Sequence, residues 1–582
     1  MDSPRGASPF RVLAETLDAV AGTSSKLEKA DRLARYFHAL DDDDLRTAAT
    51  FLTGAAFPAG DPRQLTVGAS ALVEVIQHLS GKDDAWLHDA YLRYGDLGDV
   101  AGEALAAPRA PRPPGPPLTL GGVRDAFTRI ASASGKGSRA AKTAGLSELL
   151  AAASPLEAKY LVRIITTDLR VGLKAGLLEE AIAAAFAPDA DGGKSNRRAL
   201  LPLVRQANML ISHAGEVAVM ARRGRLAEAR LQLHRPFHFM LAETIFTPEE
   251  AFTPLRGEGA APALLVEDKY DGIRAQVHVA GDRLAIYSRT LDDIGGAFPD
   301  LHDDLRALGR QYIVDGEILA WRGEQALAFS LLQQRLRRKD PGRLVDQIPV
   351  TLMVFDLLHL DGDELLDQPL RDRRERLERL PFGGRVRPSL ATIAAGPSDL
   401  GRRFREARNR GNEGLVVKRL DAPYQPGRRG RLWMKLKEEL ATLDVVVVAA
   451  EHGHGKRAAV LSDVTFAVRE GERLATVGKA YSGLTDKEIA ELTGWFQEHT
   501  IRDLGRVKVV RPEIVLEVAF DAVMRSDRHD SGFALRFPRI KRWRTDKSAD
   551  EINTLDDVRL IYERQIVKPT PDAVAPLGAG GS

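Results

Sequence analysis

The periodicity of apolar residues changes near residue 235, and that change constrains the fold more than any other feature. Over residues 10–233 the chain is rich in Ala, Leu and Arg, with apolar residues at helical spacing and few β-branched runs. Leu156, Tyr160, Leu161, Ile164 and Ile165 recur as one face of a helix, with Glu157, Lys159 and Arg163 placed elsewhere, so this region is expected to be all-α. From Leu264 onward, short β-rich runs alternate with helical stretches and Gly/Asp turns. Beyond Leu440, residues 443–450, 464–468, 474–477 and 514–520 read as strands of a small β-barrel, interrupted by a helix over about 486–498. At 582 residues and about 150 residues per domain, the expectation is a multidomain chain. A helical domain spans 1–234, an α+β domain 235–441 and a β-barrel domain 442–568, with a flexible tail over 569–582. The Pro-rich stretch 107–117 cannot be helical and reads as an extended connector.

Composition removes several classes. The chain has no cysteine, which excludes disulfides, zinc ribbons, iron–sulfur ligation and thiolate nucleophiles, so any metal must take O or N ligands. A balance of 83 Lys plus Arg against 81 Asp plus Glu hides a nucleic-acid signal unless the basic residues are segregated. The N-terminus has no apolar signal core, and no uncharged stretch is long enough to span a membrane, so the expected location is the cytoplasm.

The chemistry concentrates around Glu267-Asp268-Lys269-Tyr270-Asp271-Gly272. K-x-D-G alone would arise by chance in roughly one in ten chains of this length, so its context matters. Residues 263–269 read as a buried strand whose period of two puts Leu265, Glu267 and Lys269 on one face, with the lysine at the strand end beside a turn. In a following strand Ile273, Ala275, Val277 and Val279 alternate with Arg274, Gln276 and His278. Asp315 and Glu317 share a face of the run 312–321, and Glu413 opens a strand that Lys418 closes. Trp433, Lys435 and Lys437 lie opposite Met434 and Leu436, a spacing suited to a polyphosphate. Phe355 is placed to lie against a flat ligand. Each segment alone is an ordinary strand; together they supply a candidate nucleophile, candidate Mg²⁺ carboxylates, phosphate cations and an aromatic shelf, the parts of a nucleotidyl-transfer site.

The ordered set resembles the ATP-dependent DNA ligases of the three-domain archaeal and eukaryotic type, also found in bacteria. It comprises KYDGIR from Lys269, Ser288-Arg289, DGEILAW from Asp315, VFDLLHLDG from Val354, EGLVVK from Glu413, WMKLK from Trp433 and LRFPRIKRWRTDK from Leu535. The resemblance implies a helical DNA-binding domain, an adenylation domain and an OB-fold. It implies ATP and Mg²⁺ (or Mn²⁺) as cofactors, and sealing of 5′-phosphate/3′-OH nicks through a lysyl-AMP and an adenylated DNA intermediate, with release of pyrophosphate and AMP. Lys269 would take AMP and Glu267 would read adenine. Arg274, Arg289, Glu317, Phe355, Arg429, Lys435 and Lys437 would bind the nucleotide, Arg289 also meeting the nick phosphate. Glu317 and Glu413 would hold the metal, and Arg536, Arg539, Arg542 and Lys547 are candidates for positioning pyrophosphate. An ordinary lysine is neutral in roughly one molecule per thousand near pH 7.5, so such a nucleophile is expected among cations, here Arg274, Lys435, Lys437 and the metal.

Basic residues are segregated as DNA binding requires, with 12 Lys/Arg against 3 Asp/Glu over residues 401–437 and 6 against 1 over 536–547. Candidate DNA contacts are Lys136, Ser138 and Lys142 near a helix start, Arg170, Arg289, and Lys456, Arg457 and Lys479 in expected barrel loops. The expected partner is nicked double-stranded DNA, bound by a monomer in the cytoplasm at the nucleoid; a sliding clamp or repair partner is left unidentified. A linker near 437–442 is expected to let the barrel rotate. Three alternatives weigh less. An NAD-dependent ligase relies on a four-cysteine zinc element that this chain lacks. Capping enzymes and RNA ligases do not explain the helical region, and a non-catalytic nick binder would not need the lysine and carboxylates.

Overall fold

Local signals decide where the helices begin. Ser154 accepts from the backbone N–H of Glu157 while the Glu157 side chain accepts from the backbone of Ser154, a reciprocal cap with Pro155 in the first turn. The helix Pro155–Ile165 follows. The acidic run at 41–44 works the same way, because Asp41 caps the helix Asp42–Phe51. In the computed structural model the described residues are 7–110, 115–187, 193–255, 261–323, 325–336, 341–438, 441–453, 457 and 460–564. The described chain divides into two compact units that meet in sequence at Leu436/Lys437. Among the described residues of the first unit, twelve α-helices precede the first strand, and their apolar faces form one core around Phe10, Phe51 and Phe127.

Glu157 and Arg163, which lie off that apolar face, are buried as well. Glu157 is taken by the cap, and Arg163 donates to Asp96 and Asp99 at 2.8 Å each. Gly98 permits that approach, since a Cβ there would meet the Arg163 side chain at 2.6 Å.

Among the described residues, twelve strands, with short helices between them, build the rest of the first unit: β1 (Leu241–Ile245), β2 (Leu264–Lys269), β3 (Ile273–Ala280), β4 (Arg283–Ser288), β5 (Tyr312–Arg322), β6 (Gln325–Ala326), β7 (Val350–Leu360), β8 (Asp363–Glu364), β9 (Val386–Pro388), β10 (Ala391–Ile393), β11 (Gly414–Arg419) and β12 (Arg429–Lys437). They form two sheets. One runs β1-β12-β11-β2-β10; the other runs β4-β3-β5-β7-β8, with β6 on β5 and β9 on β7. The alternation read for β3 holds, but its polar face is not open to water, because Gln276 and His278 are fully buried. The chain from His234 to Met240 lies along that face like a strap. The His234 N–H donates to His278 Nδ1 at 3.0 Å, and Phe237 exchanges hydrogen bonds with the Gln276 amide at 3.1 and 3.2 Å. Arg274 Nη1 donates to the Met240 carbonyl at 2.7 Å. Burial pushes the His278 imidazole well below its usual range.

The second unit is strand-rich, with β13 (Ala441–His452), β14 (Leu461–Glu470), β15 (Arg473–Ala480), β16 (Thr500–Asp503), β17 (Val507–Val510), β18 (Val515–Phe520), β19 (Ala522–Arg525), β20 (Phe533–Arg536) and β21 (Arg539–Trp543), and a helix at Asp486–Glu498. The long β13 pairs with β14 on one side and with both β18 and β17 on the other, with register shifts at Val447/Ala449 and Glu451/His452 that let the sheet curl. Its core gathers Leu443, Val445, Phe466, Val477, Leu492 and Phe496. Two expectations change here. Gly478 and Lys479 belong to strand β15 rather than a loop. The six-residue linker also shortens, since Lys437 still belongs to β12 and Ala441 already to β13, residues 439–440 lying outside the described residues. The tail 569–582 and residues 111–114 of the Pro-rich connector also lie outside them. Among the described residues no helix is long and apolar enough to cross a membrane.

Candidate active site

The two sheets of the first unit carry the chemistry between them. Lys269 and Glu267 come from β2, Lys418 from β11, with Glu413 directly ahead of it, and Trp433 and Lys435 from β12; the facing sheet gives Arg274 from β3, Asp315 and Glu317 from β5, and Phe355 from β7. The antiparallel register sets Gly414 opposite Lys269 and Val416 opposite Glu267, and the Glu413 N–H donates to the Lys269 carbonyl at 3.0 Å. That pairing brings Lys269 Nζ to 2.8 Å from Glu413 Oε2, both side chains being half-buried. Gly272 makes the turn possible through space rather than dihedral freedom. A Cβ there would meet the Ile318 carbonyl oxygen at 2.4 Å and Glu317 Cγ at 2.8 Å.

Glu267 is buried and heavily partnered. Its Oε1 accepts from Arg374 Nη1 at 3.1 Å and from Ser389 Oγ at 2.6 Å, and its Oε2 lies 2.5 Å from Lys418 Nζ. Lys418 in turn sits 4.3 Å from the centre of the Phe355 ring and 4.4 Å from that of Trp433, a cation held between aromatic walls. Burial depresses its pKa, against the pull of Glu267. Trp433 and Phe355 meet edge to face with centroids 6.1 Å apart. The faces read for β12 are those observed, since Met434 and Leu436 enter the core with Val266 and Leu415.

Glu317 behaves differently. Burial pushes its carboxyl up to about 7, a shift that Lys269 and Arg274 oppose and that Asp315 and Glu413 reinforce. Lys269 thus has the carboxylates of Glu413 and Glu317 among its close neighbours. Arg274 is committed elsewhere. It makes a two-pronged pair with the fully buried Asp315 at 3.0 and 2.7 Å, and Tyr424 OH donates to the same carboxylate at 2.8 Å. Glu317 and Glu413 offer oxygen donors of the kind Mg²⁺ takes beside substrate phosphates, which normally needs only one or two carboxylates. The raised Glu317 pKa marks a carboxylate that a bound cation would satisfy.

The other expected residues fall in several places. Arg429 opens β12 and donates to the Ala242 carbonyl at 3.0 Å. Lys435 is half-buried within β12, and Lys437 ends it. Arg289 is exposed in the turn after β4; with Thr290 and Asp292 it lines a cavity of about 910 Å³ shared with the helical region at Phe57, Thr66 and Lys174. Ser138 begins the helix Ser138–Ala152, and Lys136 is exposed just ahead of it. Lys142 is turned inward, donating to the Leu65 carbonyl at 2.9 Å and to the Thr66 hydroxyl. Arg170, at φ 54°, is half-buried and donates to Asp168 at 3.0 Å. In the second unit Lys479 pairs with Glu451 at 2.7 Å, Arg457 with Asp486 at 3.2 Å, Arg542 with Glu517 at 2.6 Å and Lys547 with Asp444 at 2.7 Å. Arg536 is half-buried and Arg539 exposed. Gly455 and Lys456 lie outside the described residues. Arg374, Ser389 and Tyr424 were not legible as site residues, because Glu267 and Arg374 are 107 positions apart.

Three family descriptions match the chain in order: DNA ligase N terminus over residues 9–183, ATP dependent DNA ligase domain over 239–437, and ATP dependent DNA ligase C terminal region over 457–547. A probable DNA ligase of Koribacter versatilis is 46% identical over 586 residues, spanning 96% of this chain and 98% of that one. The chain belongs to the ATP-dependent DNA ligase family. A DNA ligase of Archaeoglobus fulgidus is 34% identical across 96% of this chain and 99% of its own. Among solved structures, Pmar-Lig_PreS3 shares the fold over 91% of this chain and 99% of that one, with a TM-score of 0.55 at 15% identity. The middle family match ends at Lys437, one residue past the end of the first unit, so the two-sheet site lies within the ligase domain.

Proposed function

We infer that the protein is an ATP-dependent DNA ligase that seals 5′-phosphate/3′-OH nicks in duplex DNA, with Lys269 as the residue that carries AMP. The contact that supports this most is the amine of Lys269 at 2.8 Å from Glu413. In the first step Lys269 Nζ attacks the α-phosphorus of ATP. A P–N bond forms, the P–O bond to pyrophosphate breaks, and the amine gives up a proton. The lone pair becomes available only once the ammonium has lost a proton, to Glu413 at 2.8 Å or to water. The phosphoamide then passes AMP to the 5′-phosphate of the nick, and the 3′-OH displaces AMP as the phosphodiester forms. These displacements need in-line geometry more than a proton-transferring side chain.

In this reading Glu267 recognises the base, Phe355 stacks on it, and Arg274, Arg289, Arg429, Lys435 and Lys437 serve the ribose and phosphates. Glu317 and Glu413 would hold Mg²⁺, which when bound neutralises phosphate charge. Arg536, Arg539, Arg542 and Lys547 serve pyrophosphate. Residues 1–234 with Lys136, Ser138, Lys142 and Arg170, and an OB-type barrel over 442–568 with Lys456, Arg457 and Lys479, supply DNA contacts in a monomer. The curled sheet around β13 supports the barrel assignment.

The test is to incubate the full chain with Mg²⁺ and labelled ATP, GTP or NAD and weigh the denatured protein. An AMP adduct from ATP on the peptide carrying Lys269 is expected. A GMP adduct would move the assignment to capping enzymes, and no adduct would leave a non-catalytic nick binder. Lys269→Ala should abolish the adduct while nicked-duplex binding stays within a few fold. That binding should also weaken steeply with salt, because phosphate contacts release counterions.

A further inference from the structure

One buried guanidinium divides its donors among Glu267, the serine that also holds Glu267, and a second carboxylate. Arg374, on the helix Leu370–Glu378, donates through Nη1 to Glu267 Oε1 at 3.1 Å and to Ser389 Oγ at 2.9 Å, through Nη2 to the Ser389 carbonyl, and through Nε to Glu378 at 2.7 Å. Ser389 Oγ donates onward to Glu267 Oε1 at 2.6 Å, closing a triangle. From the other side Lys418 Nζ meets Glu267 Oε2 at 2.5 Å. A carboxylate offers about four lone-pair positions. Three are taken, so a ligand reaching Glu267 meets one remaining acceptor position whose direction is fixed.

We propose that Arg374, with Ser389, is a positioning residue for base selection, holding Glu267 so that the pocket accepts a purine with a 6-amino group and rejects one with a 6-oxo group. The proposal rests on the reading of Glu267 as the base-recognising carboxylate. An exocyclic amine donates to the remaining position. A carbonyl in the same pose sets acceptor against acceptor, with both groups stripped of water. Recognition by a placed hydrogen-bonding group discriminates far more strongly than pocket shape does, but only while that group cannot adapt. With Oε1 released, the carboxylate could rotate or hold a water that presents its own O–H, and the oxo purine would then be tolerated. The aromatic walls, Phe355 and Trp433, do not read the base edge, since any purine has a π-face.

The experiment measures nucleotidylation of Lys269 in the full chain with ATP and with GTP, resolving kcat and KM, for the wild type, Arg374→Met, Arg374→Lys, Ser389→Ala and Glu267→Gln, with thermal unfolding alongside. Arg374→Met should lower the ATP-to-GTP ratio of kcat/KM by about tenfold or more, mostly through KM, and Ser389→Ala by about threefold. Arg374→Lys should recover part of the ratio. Loss of ATP and GTP activity in equal proportion, as a merely structural role would give, overturns the proposal. Should Arg374→Met not fold, an unchanged ratio in both Arg374→Lys and Ser389→Ala overturns it equally. Glu267→Gln separates the two layers. An unchanged ratio there removes the base-recognition reading itself, whereas a changed ratio with unaltered Arg374 and Ser389 variants removes only the positioning role.

Discussion

Two glutamates of the proposed site, one on β2 and one on β5, are treated in opposite ways. Glu267 receives Arg374, Ser389 and Lys418 within hydrogen-bond distance, whereas Glu317 is half-buried and its carboxyl is pushed up to about 7 by desolvation. The first is finished before any ligand arrives, which is what selective recognition requires. The second is left short of positive charge, which is what a site for a cation and a triphosphate requires. On the proposed roles, the fold supplies close counter-charges at the base-recognising glutamate and weaker ones, from Lys269 and Arg274, at the cation-binding one.

The contrast can be broken from either side. Lys418→Met should have the largest effect. It removes one of the two buried cations that Glu267 holds, leaving Arg374, at a cost of about 3 kcal/mol in stability, read by chemical denaturation. Arg373→Met, which strips Asp356 of a fully buried pair at 2.8 Å, should cost a similar amount without touching the pocket. Glu317 should respond in the other direction. An acid whose pKa is raised on folding binds more protons folded than unfolded through the window from about 4.5 to 7, so wild-type stability falls as pH rises through that window. The stability of Glu317→Gln relative to wild type should therefore grow by on the order of 2 kcal/mol between pH 5 and pH 8, and a flat difference would refute the raised pKa. The Mg²⁺ concentration that half-saturates adenylation should rise up to about tenfold per unit as pH falls below 7 in the wild type, and lose that slope in Glu317→Gln. The smallest effect belongs outside the pocket. Arg402→Ala removes exposed pairs to Asp399 and Glu406 and should stay within about 0.5 kcal/mol.

How far the sequence foretold this depended on the separation of partners. The strand carrying Lys269, the helix over 486–498 and the faces of β12 were legible, because strand and helix periods need only neighbouring residues. Arg163, Gln276 and His278 look like surface residues on the same rules, and they are buried because distant segments bring the groups that satisfy them. The commitment of Arg274 to Asp315 and of Lys142 to the Leu65 carbonyl was hidden for the same reason. A basic residue in a motif advertises its charge but not the local acceptor that already holds it.

The strap from His234 to Met240 ties the helical region to the catalytic sheets through hydrogen bonds to Gln276, His278 and Arg274, all of them on β3. A protein trimmed to begin at the first strand of the adenylation region would strip those side chains of their backbone partners and leave buried polar groups on β3 unsatisfied. The natural cut for a shortened enzyme therefore falls before the strap, at about residue 230, and the strap is as much a part of the catalytic half's architecture as the strands it covers.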